Sequence, residues 1–143
     1  MQNPPIHFFK ESVSFRLIKK EELQTWIKKA IKSNKKELEN LNFIFCSDKY
    51  LRKINKTYLN HDYFTDIITF DNSFQKGKIE GDIFISVERV KINAAQYKVS
   101  FTNELQRVII HGVLHLIGYN DKTEKGQVAM RTAEDLWLGK LGK

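Results

Sequence analysis

The segment His111-Gly112-Val113-Leu114-His115-Leu116-Ile117-Gly118-Tyr119-Asn120-Asp121 holds residue types at spacings that can bind a metal ion. Histidines four apart on a helix project from one face, one turn apart. Their ring nitrogens can reach a common point at roughly 2.0–2.1 Å each, as zinc requires. Gly118 stands where a left-handed residue is expected to close the helix. The reversal it allows delivers Asp121 toward the same point as an oxygen ligand. Three protein ligands leave a position open for water, the catalytic rather than the structural pattern. The expected set is His111, His115 and Asp121 around one divalent metal ion, with zinc the first choice.

The spacing is similar to the metzincin pattern His-x-x-x-His-x-x-Gly-x-x-His, with aspartate in the last place. Zincin peptidases carry glutamate directly after the first histidine as general base. Here Gly112 follows it, which argues against peptide hydrolysis by that route and points to close packing of the helix on a neighbour. Glu104, two turns before His111, is placed to orient that ring or activate water; as an acid near a helix start it also suits the helix dipole. Arg107, one turn before His111, falls near the metal face, with an ion pair to Glu104 or exposure to solvent as its alternatives. Asp66 and Asp82 can hydrogen-bond the ligand histidines or simply end a turn or a strand. His61 reads as an exposed turn residue and Tyr119 as a core or cap contact.

These side chains need elements to carry them. His7–Phe9 and Val13–Leu17 read as an opening strand region, with a turn or bulge at residues 10–12 between them. Lys20–Lys35 reads as a helix with Leu23, Trp26, Ile27, Ala30 and Ile31 inward. Its other side carries Lys28, Lys32, Lys35 and Lys36, the most concentrated basic stripe in the chain. Leu41–Phe45 reads as a strand with Leu41, Phe43 and Phe45 on one face. Ser47 or Asp48 starts a helix to Tyr58, with Leu51, Ile54 and Tyr58 inward. Asp66–Asp71 and Ile79–Val87 read as neighbouring antiparallel strands. Three helices follow: one lined by Val87, Val90, Ala94 and Tyr97; one over 103–117; one over 124–138 with Ala129, Ala133, Leu136 and Trp137 inward. The sum is an α+β fold, one small mixed sheet with helices packed on it and the metal site at the C-terminal end of a core helix.

The chain of 143 residues has the length of one domain, 1–143. Its single cysteine, Cys46, excludes an internal disulfide or a thiolate metal cluster and reads as a small hydrophobe. No apolar run approaches the ~18 residues of a membrane span, and Met1–Pro5 shows no leader pattern. A cytoplasmic protein is expected. The net charge is +7. Residues 1–60 hold 13 Lys/Arg against 6 Asp/Glu, whereas residues 61–143 hold 11 of each. A one-sided basic surface suits a polyanion, and the lysine stripe is the candidate for RNA backbone contacts.

Three stretches taken together resemble the YbeY family of rRNA maturation factors. They are His111–Tyr119; Asn55-Lys56-Thr57-Tyr58, Asp62 and Thr65-Asp66-Ile67-Ile68-Thr69-Phe70; and Gly81-Asp82-Ile83-Phe84-Ile85-Ser86. The resemblance implies a metal-dependent endoribonuclease acting on single-stranded RNA in rRNA processing, with rRNA or the small ribosomal subunit as partner. Two positions depart from the family's pattern. Asp121 stands where a third histidine is usual, so the metal should be a weaker Lewis acid than in a three-histidine site. Leu59 stands where an arginine thought to act in cleavage is usual; Arg107 and Lys98 are the candidate replacements. A metal-stabilised ribosome- or RNA-binding factor without catalysis is the alternative.

Overall fold

The computed structural model describes residues 5–141, so the stretch read for a leader pattern lies almost wholly outside the described residues. The elements are β1 (Ile6–Glu11), α1 (Lys20–Ser33), β2 (Glu37–Cys46), α2 (Asp48–Leu59), β3 (Ile67–Asp71), β4 (Lys78–Ser86), α3 (Val87–Tyr97), α4 (Phe101–Ile117) and α5 (Glu124–Lys140). The architecture is α+β, a four-stranded mixed sheet in the order β1-β2-β4-β3 with five helices packed on it. β1 and β4 run parallel to β2, and β3 runs antiparallel to β4.

Period-two alternation divides the sheet's residues between two faces. Leu41, Phe43 and Phe45 of β2 and Ile79, Ile83 and Ile85 of β4 are buried in the main core with α1, α3, α4 and α5. Ile68, Phe70 and Phe84 point the other way and pack with Leu51 and Cys46 under α2. Serine or threonine starts four of the helices: the side chains of Ser47, Ser86, Ser100 and Thr123 each accept the backbone N–H three residues on. Each such cap contributes about 1 kcal/mol.

Several expectations are corrected. Val13–Leu17 is not a strand. Ser12, with φ 57°, turns the chain off the sheet edge; the alternation persists because Val13, Phe15 and Leu17 still pack inward. α1 stops at Ser33 because the Asn34 side chain donates to the Ala30 carbonyl at 2.8 Å and Lys35 is left-handed. Lys35 and Lys36 therefore leave the helical stripe. Tyr58 and Tyr97 are exposed, and Asn55 takes the inner place on α2. On α5 the buried stripe is Met130, Ala133, Glu134 and Trp137, while Ala129 and Leu136 face solvent.

Gly112 marks the closest approach of α4 to the sheet. A Cβ there would lie 2.9 Å from Ile67 Cδ1 and 3.1 Å from two atoms of Ile83. Gly112→Val should gain a few tenths of a kcal/mol in helix propensity and lose roughly 1–3 kcal/mol to overpacking. Net destabilisation is expected, read as a melting temperature several degrees lower by calorimetry. Cys46 is fully buried, its Sγ 3.5 Å from the Ile85 carbonyl, and burial pushes its pKa up to about 12. A thiol reagent at pH 8 should label it in denatured protein and leave it untouched in native protein.

Candidate active site

α4 supplies one face of the site. Glu104, Arg107, His111 and His115 follow one another at three- and four-residue steps, so they share a helix face. They line an open cavity of about 500 Å³ together with Asp66 and Thr69, Asp121, and Arg131 and Glu134 of α5. Gly118, at φ 128°, closes α4 as the sequence predicts, and the chain then returns Asp121 to the helix face.

Both imidazoles are held by their Nδ1 atoms. His111 Nδ1 lies 2.7 Å from Glu134 Oε2 and donates to that carboxylate. His115 Nδ1 lies 3.0 Å from Thr69 Oγ1 on β3. With Nδ1–H donating in each ring, both Nε2 lone pairs are left to bind a ligand. His111 Nε2 stands 3.6 Å from Asp121 Oδ2. Two ligands at roughly 2.0–2.1 Å from one tetrahedral ion lie about 3.4 Å apart, so this pair has the spacing of a shared cation. His115 lines the same cavity without joining the pair: among the described residues no three His, Cys, Asp or Glu side chains are gathered closely enough to hold an ion. The donor types nonetheless fit a divalent cation, two oriented imidazoles and a carboxylate.

Electrostatics set the rest. Burial works against a charged His111 ring, but the Glu134 hydrogen bond and the charges of Glu134, Asp121 and Asp66 outweigh it and hold its pKa above the ordinary value. Burial raises Asp66 against the pull of His111 and a hydrogen bond from Asn93. Burial, then the charge of Asp66, raises Glu104, which is only 5% exposed. Arg107 does not pair with Glu104. Its guanidinium bonds Glu134 at 2.9 Å and Asp135 at 2.7 Å. Glu134 thus accepts from Arg107 on one oxygen and from His111 on the other.

The support of the histidines lies elsewhere than expected. Asp66 faces the cavity, but Glu134 and Thr69 hold the rings. Asp82 is on the other face of the sheet and accepts from Asn42 and Asn72. Glu134 has a sequence signal: with Met130, Ala133 and Trp137 it completes an i, i+3, i+4, i+7 stripe, which makes it an acid on an inward face. Arg131 also lines the cavity, its side chain 66% exposed and its salt-bridge partner Glu134 at 4.0 Å. Lys98 closes α3 and does not line the cavity, nor do Lys28, Lys32, Lys35 or Lys36. His61 is an exposed loop residue and Tyr119 packs on the core, both as expected.

A family model described as endoribonuclease YbeY matches residues 8–142. The chain belongs to the YbeY family. It is similar to a protein named endoribonuclease YbeY from Cytophaga hutchinsonii, with 52% identity over 96% of each chain. A protein of the same name from Christiangramia forsetii is 47% identical over 94% of this chain and 93% of its own. The solution structure of TM1509 from Thermotoga maritima shares the fold with a TM-score of 0.70 and 25% identity, over 95% of this chain and 88% of that one. YbeY membership makes RNA, cut within the strand, the substrate class and makes the chain a hydrolase of the endoribonuclease kind. Among the described residues no helix is long and apolar enough to cross a membrane. At the two departures from the family's pattern, Asp121 lines the cavity and Leu59 is an exposed hydrophobe at the end of α2.

Burying Glu104 beside Asp66 disfavours its charged form, so the cost to stability is present at pH values above its raised pKa and vanishes as pH falls below the ordinary 4.5. Glu104→Gln in metal-free protein should therefore melt a few degrees higher than wild type at pH 8. That advantage should shrink toward zero by pH 4. A constant advantage across the range would contradict this electrostatic origin.

Proposed function

We propose that this YbeY-family chain is a metal-dependent endoribonuclease that cuts single-stranded RNA, with His111, His115 and Asp121 holding one divalent ion, zinc the first choice. Its task on this reading is cytoplasmic rRNA processing during maturation of the small ribosomal subunit. The observation that carries it is the pair of hydrogen bonds that Nδ1–H of His111 and His115 donates to Glu134 and Thr69, which frees both Nε2 atoms for a ligand.

Charge balance supports the reading. Asp66, Glu104, Asp121 and Glu134 line the cavity against Arg107 and Arg131. With neutral histidines this leaves an excess of two negative charges, which would repel a phosphodiester. A bound divalent ion offsets that excess and supplies a Lewis acid for a phosphoryl oxygen.

The side chains then divide the work. Glu104, whose pKa burial has raised, accepts a proton from the attacking hydroxyl or water at its carboxylate. Arg131 is the less committed of the two cavity arginines and contacts the phosphate. Arg107 holds the Glu134 carboxylate in place, and so keeps His111 in the tautomer that can ligate. Arg107 on this account is a positioning residue.

A non-catalytic RNA- or ribosome-binding factor is the second reading, favoured by the exposed Leu59 where relatives typically carry a cation. Turnover of an unstructured oligoribonucleotide separates the two. Cleavage should stop with chelator and return with added metal. His115→Ala, with circular dichroism confirming the fold, should cleave at least 100-fold more slowly. Glu134→Ala should weaken metal binding by about 10- to 100-fold in calorimetry. Arg131→Ala should raise KM more than it lowers kcat. Cleavage indifferent to chelator and to His115→Ala would sink the metal-dependent mechanism, and no cleavage by the metal-loaded wild type would leave the binding-factor reading.

A further inference from the structure

α2 ends in Tyr58-Leu59, and the loop that follows reads Asn60-His61-Asp62-Tyr63-Phe64-Thr65-Asp66. This segment exposes three large aromatic rings: Tyr58 at 66%, Tyr63 at 55% and Phe64 at 46%. Three exposed aromatic rings within seven residues form the kind of apolar surface that suits binding. Nor is the loop slack. Asn55, 2% exposed, accepts the His61 N–H at its backbone carbonyl and donates its side-chain amide to the Tyr63 carbonyl, both at 3.1 Å. The backbone of both ring-bearing residues is thus pinned to a buried residue while the rings stay outside.

The rings are ordered as well. His61 and Tyr63 stack at 5.3 Å and 20°, and Tyr63 Oη is 3.1 Å from His61 Nδ1. Phe64 carries the guanidinium groups of Arg52 and Arg89 at 4.8 and 5.0 Å, and these are themselves fixed by Asp62 and Asp48. Beside this flat surface α2 exposes Lys49, Lys53 and Lys56, which have no salt-bridge partner among the described residues.

The platform joins the cavity directly. Thr65 and Asp66 line it with His111 and His115. Two residues span at most about 7 Å, so Tyr63 is within roughly one nucleotide step of the cavity wall. We propose that the His61–Tyr63 pair is a stacking platform for an unpaired base of the RNA strand next to the cleaved bond, with Lys53 and Lys56 on flanking phosphates. The inference rests on the endoribonuclease reading of the cavity and assigns its preference for single strands. Bases in a duplex keep their faces covered by their neighbours, whereas a splayed base can lie on an aromatic ring. The pre-pinned loop reduces the ordering cost of that contact.

The test uses full-length protein and a labelled unstructured oligoribonucleotide. Tyr63→Ala should raise KM roughly 5- to 150-fold, the range expected for one stacked base, with kcat at saturation little changed. Tyr63→Phe keeps the ring but loses the hydrogen bond to His61, and should recover most of the KM lost in Tyr63→Ala. Moving a single abasic nucleotide along the substrate should reveal one position that raises KM for wild type but not for Tyr63→Ala. Anisotropy of the same oligonucleotide with chelator present reads binding without turnover, and Tyr63→Trp should show indole quenching on binding. Unchanged KM and unchanged binding in Tyr63→Ala, while wild type still cleaves, would overturn the platform, leave the nuclease reading intact and point to a protein partner for these rings. Binding lost in Tyr63→Ala beside a wild type that never cleaves would keep the platform and end the nuclease reading.

Discussion

The close seating of α4 on β3 and β4 is the constraint from which the site follows. It is possible because residue 112 has no side chain, with Ile67 and Ile83 occupying the space a Cβ would need. With the helix that near, Thr69 on the same face of β3 as Ile67 reaches His115. A helix held one side chain farther out would carry the same histidines but leave His115 without its oxygen partner. The residue type that removes a peptidase-type general base is therefore also the one that lets the sheet orient a ring.

The second constraint is electrostatic. Glu134 is 5% exposed and Glu104 likewise, and buried carboxylates are costly unless paired. Glu134 is paired twice, by Arg107 and His111, and Asp135 holds the other arm of Arg107. Arg107 and His111 come from α4 and Glu134 and Asp135 from α5, so losing Arg107 would leave the buried Glu134 without its permanent cation, and the two helices are coupled more tightly than their apolar contacts alone require. Glu104 has no comparable support, and its burial beside Asp66 is a local expense that the large apolar core carries. Such unbalanced acids concentrate where chemistry is done.

Most strands and helices, and the meeting of His111, His115 and Asp121 at one cavity, are legible because each rests on a local period or spacing. The alternation in Leu41, Phe43 and Phe45 and the helix start at Ser47 survive in the structure unchanged. What was not legible depends on pairing between distant segments. Val13–Leu17 alternates like a strand, yet Ser12 turns it away from any partner, and alternation alone cannot report that. On α5 the sequence puts Ala129 and Leu136 inward where the structure has Met130 and Glu134, because Ala129 and Leu136 are apolar and Glu134 is not. Hydrophobicity ranked the glutamate outward, while Arg107 and His111, 27 and 23 residues earlier, supply the partners that bring it in. Tyr58 and Tyr97 were read as core for the same reason, aromatic character without knowledge of what covers it.

The basic excess of the first 60 residues acquires a different meaning once placed. The α1 lysines do not line the cavity, and the cavity itself is rich in acids. Overall charge and local chemistry are therefore separated in space. A polyanion is drawn by the surface as a whole through long-range attraction, which salt screens. On the proposed reading the same strand would meet carboxylates at the cavity mouth, whose repulsion a bound cation would offset. Affinity for the strand and competence to cut it would then be supplied by different residues, and RNA binding would persist without a metal. The basic strip along α2 would bring the two together, because its helix runs into the loop that borders the cavity.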